Sequence, residues 1–421
     1  MVISELLKGV DCQCGRHHTC AIRHVYIEHD AISHLTELCQ GYEKILVVAD
    51  ENTYGAAGAK VDKALTGMNV EKLIFPGSEL LIPNEDAIAA VTAKLGDNKL
   101  IVGIGSGVIQ DLCKYVSFES GIPYYIVATA PSMDGYAGTG AAMITGGMKV
   151  TYTTKVPEAI IADTEVLKDA PMEMIKAGYG DIIGKYSALN DWKLSHVVNG
   201  EYFCQFIYDL TWEMLQKTQQ LADGLVLRDE QSVQALMEAL VGVGIAMSFA
   251  GTSRPASGSE HHFSHYFEIT GIVNDEPYLC HGIDVAYSTI LTSQIREKLL
   301  GSQFPETQFT PDRKEYEQDL ERIYKSVGAS CVALQDKLGT YEKNRAPIYK
   351  AYEQEIKAIL AEIPGPKQIQ EILGKVGLDI QEFYDLYSAE KLKDAVVYAK
   401  DLKDRYTVLW MYYDMFGKTP L

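Results

Sequence analysis

Three short segments gather side chains that can hold a metal ion or move a proton: Gly178-Tyr179-Gly180-Asp181, Glu260-His261-His262-Phe263-Ser264-His265 and Cys280-His281-Gly282-Ile283-Asp284. His261 and His265 are four apart, so on a helix they share one face. One carboxylate and two imidazoles make a three-ligand site for Zn²⁺ or another divalent transition ion, with positions left open for a substrate. An open position is what Lewis-acid chemistry needs. The bland alternative is that these residues cap helices or face solvent, as single histidines usually do. A second cluster, Cys12, Cys14, His17, His18 and Cys20, lies near the N-terminus. Its spacing is not a standard zinc-finger arrangement, and it reads as reduced thiols in a packed segment.

A different chemistry is offered where the apolar run Leu100–Gly105 meets Gly103, Gly105, Ser106 and Gly107, followed by a helical pattern carrying Asp111 and Lys114. Glycines let a ligand approach the backbone, and the new helix presents its first N–H groups, an arrangement suited to a pyrophosphate. The G-x-G-x-G spacing departs from the usual dinucleotide fingerprint, so an ordinary tight turn is the competing reading. Earlier, Lys44–Val48 ends in Ala49, Asp50 and Glu51. An acid at a strand end can accept from both adenosine ribose hydroxyls, which favours NAD over NADP.

The elements that must position these residues fall into two textures. His24–Glu28, Lys44–Asp50, Lys72–Phe75, Leu100–Gly105, Tyr124–Thr129 and Ala159–Asp163 read as buried strands. Between them Tyr54–Leu65, Asn84–Leu95 and Val108–Ser117 read as helices, so the sheet is expected to be mostly parallel. Thr139–Tyr152, with Gly146-Gly147 at its centre, reads as a β-hairpin. After Pro171 the patterns are helical: Met172–His196, Tyr202–Ala222, Asp229–Ser248, Asp284–Leu300 and most of 313–411. The expected architecture is an α/β dinucleotide-binding domain, residues 1–170, followed by an all-helical metal- and substrate-binding domain, residues 171–421. The charged helical faces of 340–408 are expected to be solvated.

Bulk properties exclude other classes. The 421 residues carry a formal net charge of −19, with 47% hydrophobic and 23% charged residues. Such a chain has no global electrostatic reason to bind nucleic acid or an anionic membrane. The N-terminus lacks the apolar core of a signal peptide, no stretch approaches eighteen apolar residues, and the eight cysteines read as reduced thiols. A cytoplasmic protein is the expectation.

Taken together, GSGVIQDLCKY (105–115), TAPSMDGYAG (129–138), GYGDIIGKYSALNDWKLSH (178–196), RPASGSEHHFSH (254–265) and HGIDVA (281–286) are specific. The sequence resembles the sn-glycerol-1-phosphate dehydrogenases of the dehydroquinate synthase-like and iron-containing alcohol dehydrogenase superfamily, above all the long bacterial members found with arabinose-operon genes. The resemblance implies that Asp181, His261 and His281 ligate one divalent metal, Zn²⁺ or Ni²⁺, with Fe²⁺ possible. It implies that His265 and Asp134 contact the substrate, His265 as the candidate proton donor. Asp181 would then also lie against the substrate. Gly105, Ser106, Gly107, Val108, Asp111, Thr129 and Ser132 are implied in binding NAD(H) or NADP(H), and His262 has no implied role. Gly138 stands where relatives often carry Ser.

The implied reaction is the reversible reduction of dihydroxyacetone phosphate to sn-glycerol 1-phosphate, by a homodimer. A phosphate needs cations or N–H groups. Arg254 and Ser257, beside His261, are the candidates, with Lys155 and Lys185 behind them. The alternatives are a glycerol dehydrogenase acting on unphosphorylated polyols, and a non-catalytic nucleotide-binding relative.

Overall fold

The computed structural model describes residues 3–79, 81–146 and 148–421, without the side chains of Met148 and Lys149. The chain forms two compact units. The first holds residues 1–182 and 216–253, the second 183–215 and 254–421. The division therefore does not follow a single cut near residue 170: the helical segment 216–253 belongs with the sheet.

In the first unit a short antiparallel pair, β1 (Val10–Asp11) and β2 (His17–His18), precedes the main sheet. The sheet is built from β3 (His24–Glu28), β4 (Ile45–Asp50), β5 (Val70–Phe75), β6 (Leu100–Gly105), β7 (Tyr124–Ala128) and β10 (Ala159–Asp163). Between the last two runs the hairpin β8 (Gly140–Thr145) and β9 (Met148–Thr153). All sheet pairings are parallel, in the order β3-β10-β7-β6-β4-β5. The central strands β6, β7 and β10 are buried at every position, as continuous Val/Ile runs in a sheet covered on both faces must be. Edge strand β5 keeps Glu71 and Lys72, and Lys72 pairs with Asp62 at 2.7 Å. The hairpin forms with Thr145 opposite Met148, and Gly147 of the expected turn lies outside the described residues.

β5 lies on one side of β4 and β6 on the other, so the chain reverses its winding between β4 and β6. At such a switch point the loops leaving the carboxyl ends diverge and open a crevice. Asp50 ends β4 and Gly105 ends β6, on neighbouring strands.

Among the described residues one helix, Glu230–Ala250, is long and apolar enough to cross a membrane, although Glu230, Gln231, Gln234 and Glu238 interrupt its apolar run. It passes that test by length and composition, with mean hydropathy 1.7 over a window that is 72% buried. Its apolar character follows from burial within the first unit, where only Gln231 and Glu238 of the helix are exposed. A Cβ on its Gly244 would lie 2.6 Å from the Ala137 Cβ.

The second unit is helical. The pattern 172–196 breaks at Gly184 into Met172–Ile183, which falls almost wholly in the first unit, and Lys185–Asn199, which opens the second. Ser259–Asn274 and His281–Leu300 pack as neighbours, followed by shorter helices to Val408–Phe416. The polar residues of this tail are not all solvated, contrary to expectation. Lys400 and Asp401 form a fully buried pair at 2.7 Å, and Asp401 accepts from Tyr341 at 2.7 Å. Asp414 accepts from Tyr349 at 2.5 Å and lies 3.2 Å from Arg345.

Candidate active site

In the first unit the turn after β6 is shaped by its glycines. A Cβ on Gly105 would come 2.6 Å from the Ile109 Cβ, so close packing of strand on helix requires glycine there. Gly107 is different: its nearest neighbour would be Met133 at 3.8 Å, so packing within the chain does not explain it. The approach of a ligand to the backbone would. Ser106 is the N-cap of Gly107–Ser120 and makes no side-chain cap bond, and Val108 is in the first turn. The Thr129 N–H donates to the Gly105 carbonyl at 3.1 Å, so the segment after β7 runs beside this turn. Thr129 and Ser132 are buried there.

Two of the expected cofactor residues have structural duties. Asp111 accepts the Ala142 N–H at 3.1 Å and lies 3.6 Å from Lys114. Lys114, fully buried, donates to the carbonyls of Gly135 and Gly140 at 3.0 and 2.8 Å. Asp111 and Lys114 therefore position the segment carrying Asp134 and the hairpin. Asp50 caps Glu51–Ala64: its Oδ1 accepts the Thr53 N–H at 2.9 Å and Thr53 returns the bond, a reciprocal cap. The cap uses Oδ1 and not Oδ2.

Asp134 and Asp181 meet in the first unit: Asp181 Oδ2 accepts the Asp134 backbone N–H at 3.0 Å. Both are buried. Gly178 makes the meeting possible, because a Cβ there would lie 1.8 Å from the Pro131 carbonyl oxygen. No side chain fits between that helix and the 129–138 loop. Gly138 would meet Met247 at 3.3 Å, so a Ser at this position would need Met247 to shift.

In the second unit His261, His265 and His281 form a triangle of imidazoles, with ring centroids 5.1, 5.7 and 6.2 Å apart. His261 and His265 come from one face of Ser259–Asn274, and His281 from the start of His281–Leu300. One ligand atom of His261 lies within 4.8 Å of one of His281. His261 Nδ1 bonds Glu260 at 2.7 Å, and His281 Nδ1 faces the Ser264 hydroxyl at 3.3 Å. Bonds of this kind fix the orientation of a ring. Burial pushes the Glu260 carboxyl up from its ordinary range.

The phosphate candidates part company. Arg254 is buried and committed: it donates to both Glu201 oxygens at 2.6 and 2.5 Å and to the Tyr406 carbonyl at 2.8 Å. The expectation that it grips the substrate is corrected, since the fork geometry that would suit a phosphate is already filled by a carboxylate. Lys185 holds the Ala256 carbonyl at 3.0 Å from a fully buried position. Ser257 remains, and the structure adds two cations that sequence reading missed. Lys403 donates to the Ser257 hydroxyl at 3.1 Å and Arg405 to the Ser257 carbonyl at 3.0 Å.

These cations lie nearly 150 positions from Ser257 in sequence, in the tail, so no local spacing could flag them. Val408 N–H, donating to the buried Asp191 at 2.9 Å, anchors the tail; Asp191 also takes the Ser259 N–H at 2.6 Å and Arg296 at 2.8 Å. Burial holds His262 well below the usual imidazole value, and Lys403, Arg405 and Arg254 add to that shift. Glu201, Asp404 and Glu260 lie near enough to act on Arg405 in the opposite sense to Arg254.

Comparison with known proteins agrees with this layout. A family model described as iron-containing alcohol dehydrogenase matches residues 26–171. A glycerol-1-phosphate dehydrogenase [NAD(P)+] of Halalkalibacterium halodurans is 31% identical over 412 residues, covering 95% of this chain and 94% of the relative. One from Pyrococcus horikoshii is 35% identical over 242 residues, 56% of this chain and 69% of the relative. Among solved structures, an iron-containing alcohol dehydrogenase from Thermococcus thioreducens superposes with TM-score 0.60 at 14% identity, covering 93% of this chain and 97% of that one, a likeness of fold. The chain belongs to the glycerol-1-phosphate dehydrogenase [NAD(P)+] family of iron-containing alcohol dehydrogenase-like oxidoreductases.

Proposed function

We propose that this chain catalyses the reversible reduction of dihydroxyacetone phosphate to sn-glycerol 1-phosphate, with NAD(P)H and one divalent metal ion, Zn²⁺, Ni²⁺ or Fe²⁺. The observation that carries the phosphorylated substrate is Ser257, just ahead of the helix Ser259–Asn274 that bears His261, bonded by Lys403 and Arg405. The metal ligands in this reading are Asp181, His261 and His281. The donor set fits: one carboxylate with two imidazoles whose Nδ1 atoms are already engaged.

When bound, the metal supplies positive charge beside the substrate carbonyl oxygen and the nicotinamide supplies the hydride. The residues of the chain do the rest. Lys403, Arg405 and Ser257 hold the phosphate and so fix which end of the three-carbon substrate faces the imidazoles. His265, the third ring of the triangle, gives the proton to the product oxygen. Asp134 orients a substrate hydroxyl while its own N–H stays on Asp181. Gly105, Ser106, Gly107 and Val108 cradle the cofactor pyrophosphate, with Thr129 and Ser132 alongside. Asp50 Oδ2 accepts from the ribose and tilts the preference to NADH.

The test is to strip the protein with a chelator, restore Zn²⁺, Ni²⁺ or Fe²⁺ singly, and follow NADH absorbance with dihydroxyacetone phosphate and with dihydroxyacetone. Turnover restored by metal and specific to the phosphate ester supports the reading and names the ion. Equal turnover of the unphosphorylated ketone would replace it with a glycerol dehydrogenase.

A further inference from the structure

The five-residue cluster near the N-terminus resolves, in the fold, into three residues that converge and two that do not. His17 turns outward to Asp11 at 2.7 Å. Cys20 turns to Ser248, and burial raises its thiol above the ordinary value. Cys12, Cys14 and His18 remain, and one ligand atom from each lies within 4.8 Å of the others. Cys14 Sγ is 3.4 Å from His18 Nε2. We propose that Cys12, Cys14 and His18 hold a structural metal ion of the zinc type, with ligands distinct from those of the reaction.

Three features of the local structure support a built site. First, the backbone between the cysteines is folded for it. Strands β1 and β2 pair Val10 with His18 and Asp11 with His17, which brings the imidazole back beside the turn. Within the turn, Cys12 N–H donates to the Arg16 carbonyl at 3.1 Å and Gly15 N–H to the Cys12 carbonyl at 3.0 Å. Gly15 takes φ +82, a conformation that favours glycine. Second, the Cys14 N–H donates to Cys12 Sγ at 3.5 Å, which holds that sulfur within the turn. Third, His18 is 1% exposed, stacks on Phe249 at 5.6 Å, and has its Nδ1 on the Phe249 carbonyl at 3.0 Å. That bond sets the tautomer and turns Nε2 toward Cys14, as the outer hydrogen bond of a metal-bound histidine does.

Two thiolates and an imidazole select a borderline-soft ion of the zinc kind, and binding sends the two thiol protons to solvent. No disulfide involves these cysteines. Such an ion would fasten the first residues to the end of Glu230–Ala250, which carries Phe249.

The decisive measurement uses the full chain, purified from zinc-supplemented growth. Without a chelator, Cys12 and Cys14 should resist a thiol reagent, and both should label after chelation, read by peptide mapping. Cobalt-substituted protein should show a sulfur-to-cobalt charge-transfer band in the near ultraviolet that Cys12→Ser/Cys14→Ser lacks. In an Asp181→Asn background, where the other ion is lost, about one zinc per chain should remain, and the added double substitution should remove it. Immediate labelling of both cysteines before chelation would overturn the proposal. So would a cobalt band that survives the double substitution. Should the double variant fail to fold, the labelling of the unaltered chain still decides.

Discussion

The backbone N–H of Asp134 donates to Oδ2 of Asp181 at 3.0 Å, so the loop that carries one candidate substrate contact is fastened to a candidate metal ligand. An asparagine at 181 keeps an oxygen for that N–H and loses the charge a metal needs. Asp181→Asn is expected to fold with an unchanged melting temperature, lose the reaction metal, and lose turnover by on the order of 100-fold or more, beyond the effect of removing a typical outer-shell partner. Elemental analysis beside NADH oxidation checks it. Full metal retention with full activity would remove Asp181 from the ligand set.

The pair Lys403 and Arg405 makes a separate prediction about selectivity. Each charge-assisted bond to a phosphate is worth about 1.5–3 kcal/mol. Lys403→Ala or Arg405→Ala should therefore raise KM for dihydroxyacetone phosphate roughly 10–100-fold. The slow rate on dihydroxyacetone should stay as it was, because that ketone has nothing for either cation to hold. An equal fall on both substrates would mean that these residues support the fold rather than the phosphate.

Arg254 should behave in the opposite way. Its side chain is 4% exposed and its guanidinium bonds Glu201, whose side chain is 31% exposed. Removing one partner of a mostly buried pair leaves the other uncompensated and costs about 3 kcal/mol, toward the lower end for buried pairs because Glu201 is partly wet. Arg254→Met is expected to lower the melting temperature while leaving KM for the phosphate ester close to the parent value in whatever fraction folds. Thermal unfolding and KM measured on one preparation separate the two roles.

This contrast shows how far the sequence carries. The sheet was legible because buried parallel strands must be continuous apolar runs: Leu100–Gly105 and Ala159–Asp163 match strands to the residue. The imidazoles were legible because His261 and His265 share a helix face through spacing alone. What failed was information held in tertiary contact. Arg254 looks like an anion ligand in sequence because Glu201, its partner, lies 53 positions away. Lys403 and Arg405 look like an ordinary solvated charge run until Asp191 draws Val408 inward. The cut at residue 170 was drawn where strands stop, yet Glu230–Ala250 packs with the sheet because its apolar faces need that burial.

The first unit also carries a pH-sensitive tie between the sheet and that helix. His29 Nδ1 meets Glu230 Oε1 at 3.0 Å, and His29 Nε2 is 3.7 Å from Glu165. The hydrogen bond to Glu230, then the Glu165 charge, raises the His29 imidazole above its ordinary value. Bonds from Thr164 and then His29 hold Glu230 below the ordinary carboxylate range. The raised imidazole contributes stability that is fully present below its unfolded value of about 6.5 and is lost as pH rises through the higher folded value. The lowered carboxylate contributes above its unfolded value of about 4.3 and is lost as pH falls through the lower folded value. Both groups are charged together in weakly acidic solution, so the tie is strongest there. His29→Gln should lower the melting temperature by on the order of a degree near pH 5.5 at low salt, with the difference closing by about pH 8.5. Added salt should shrink it at the acid end, because the pair is exposed and screened. A difference independent of both pH and salt would assign His29 a packing role instead.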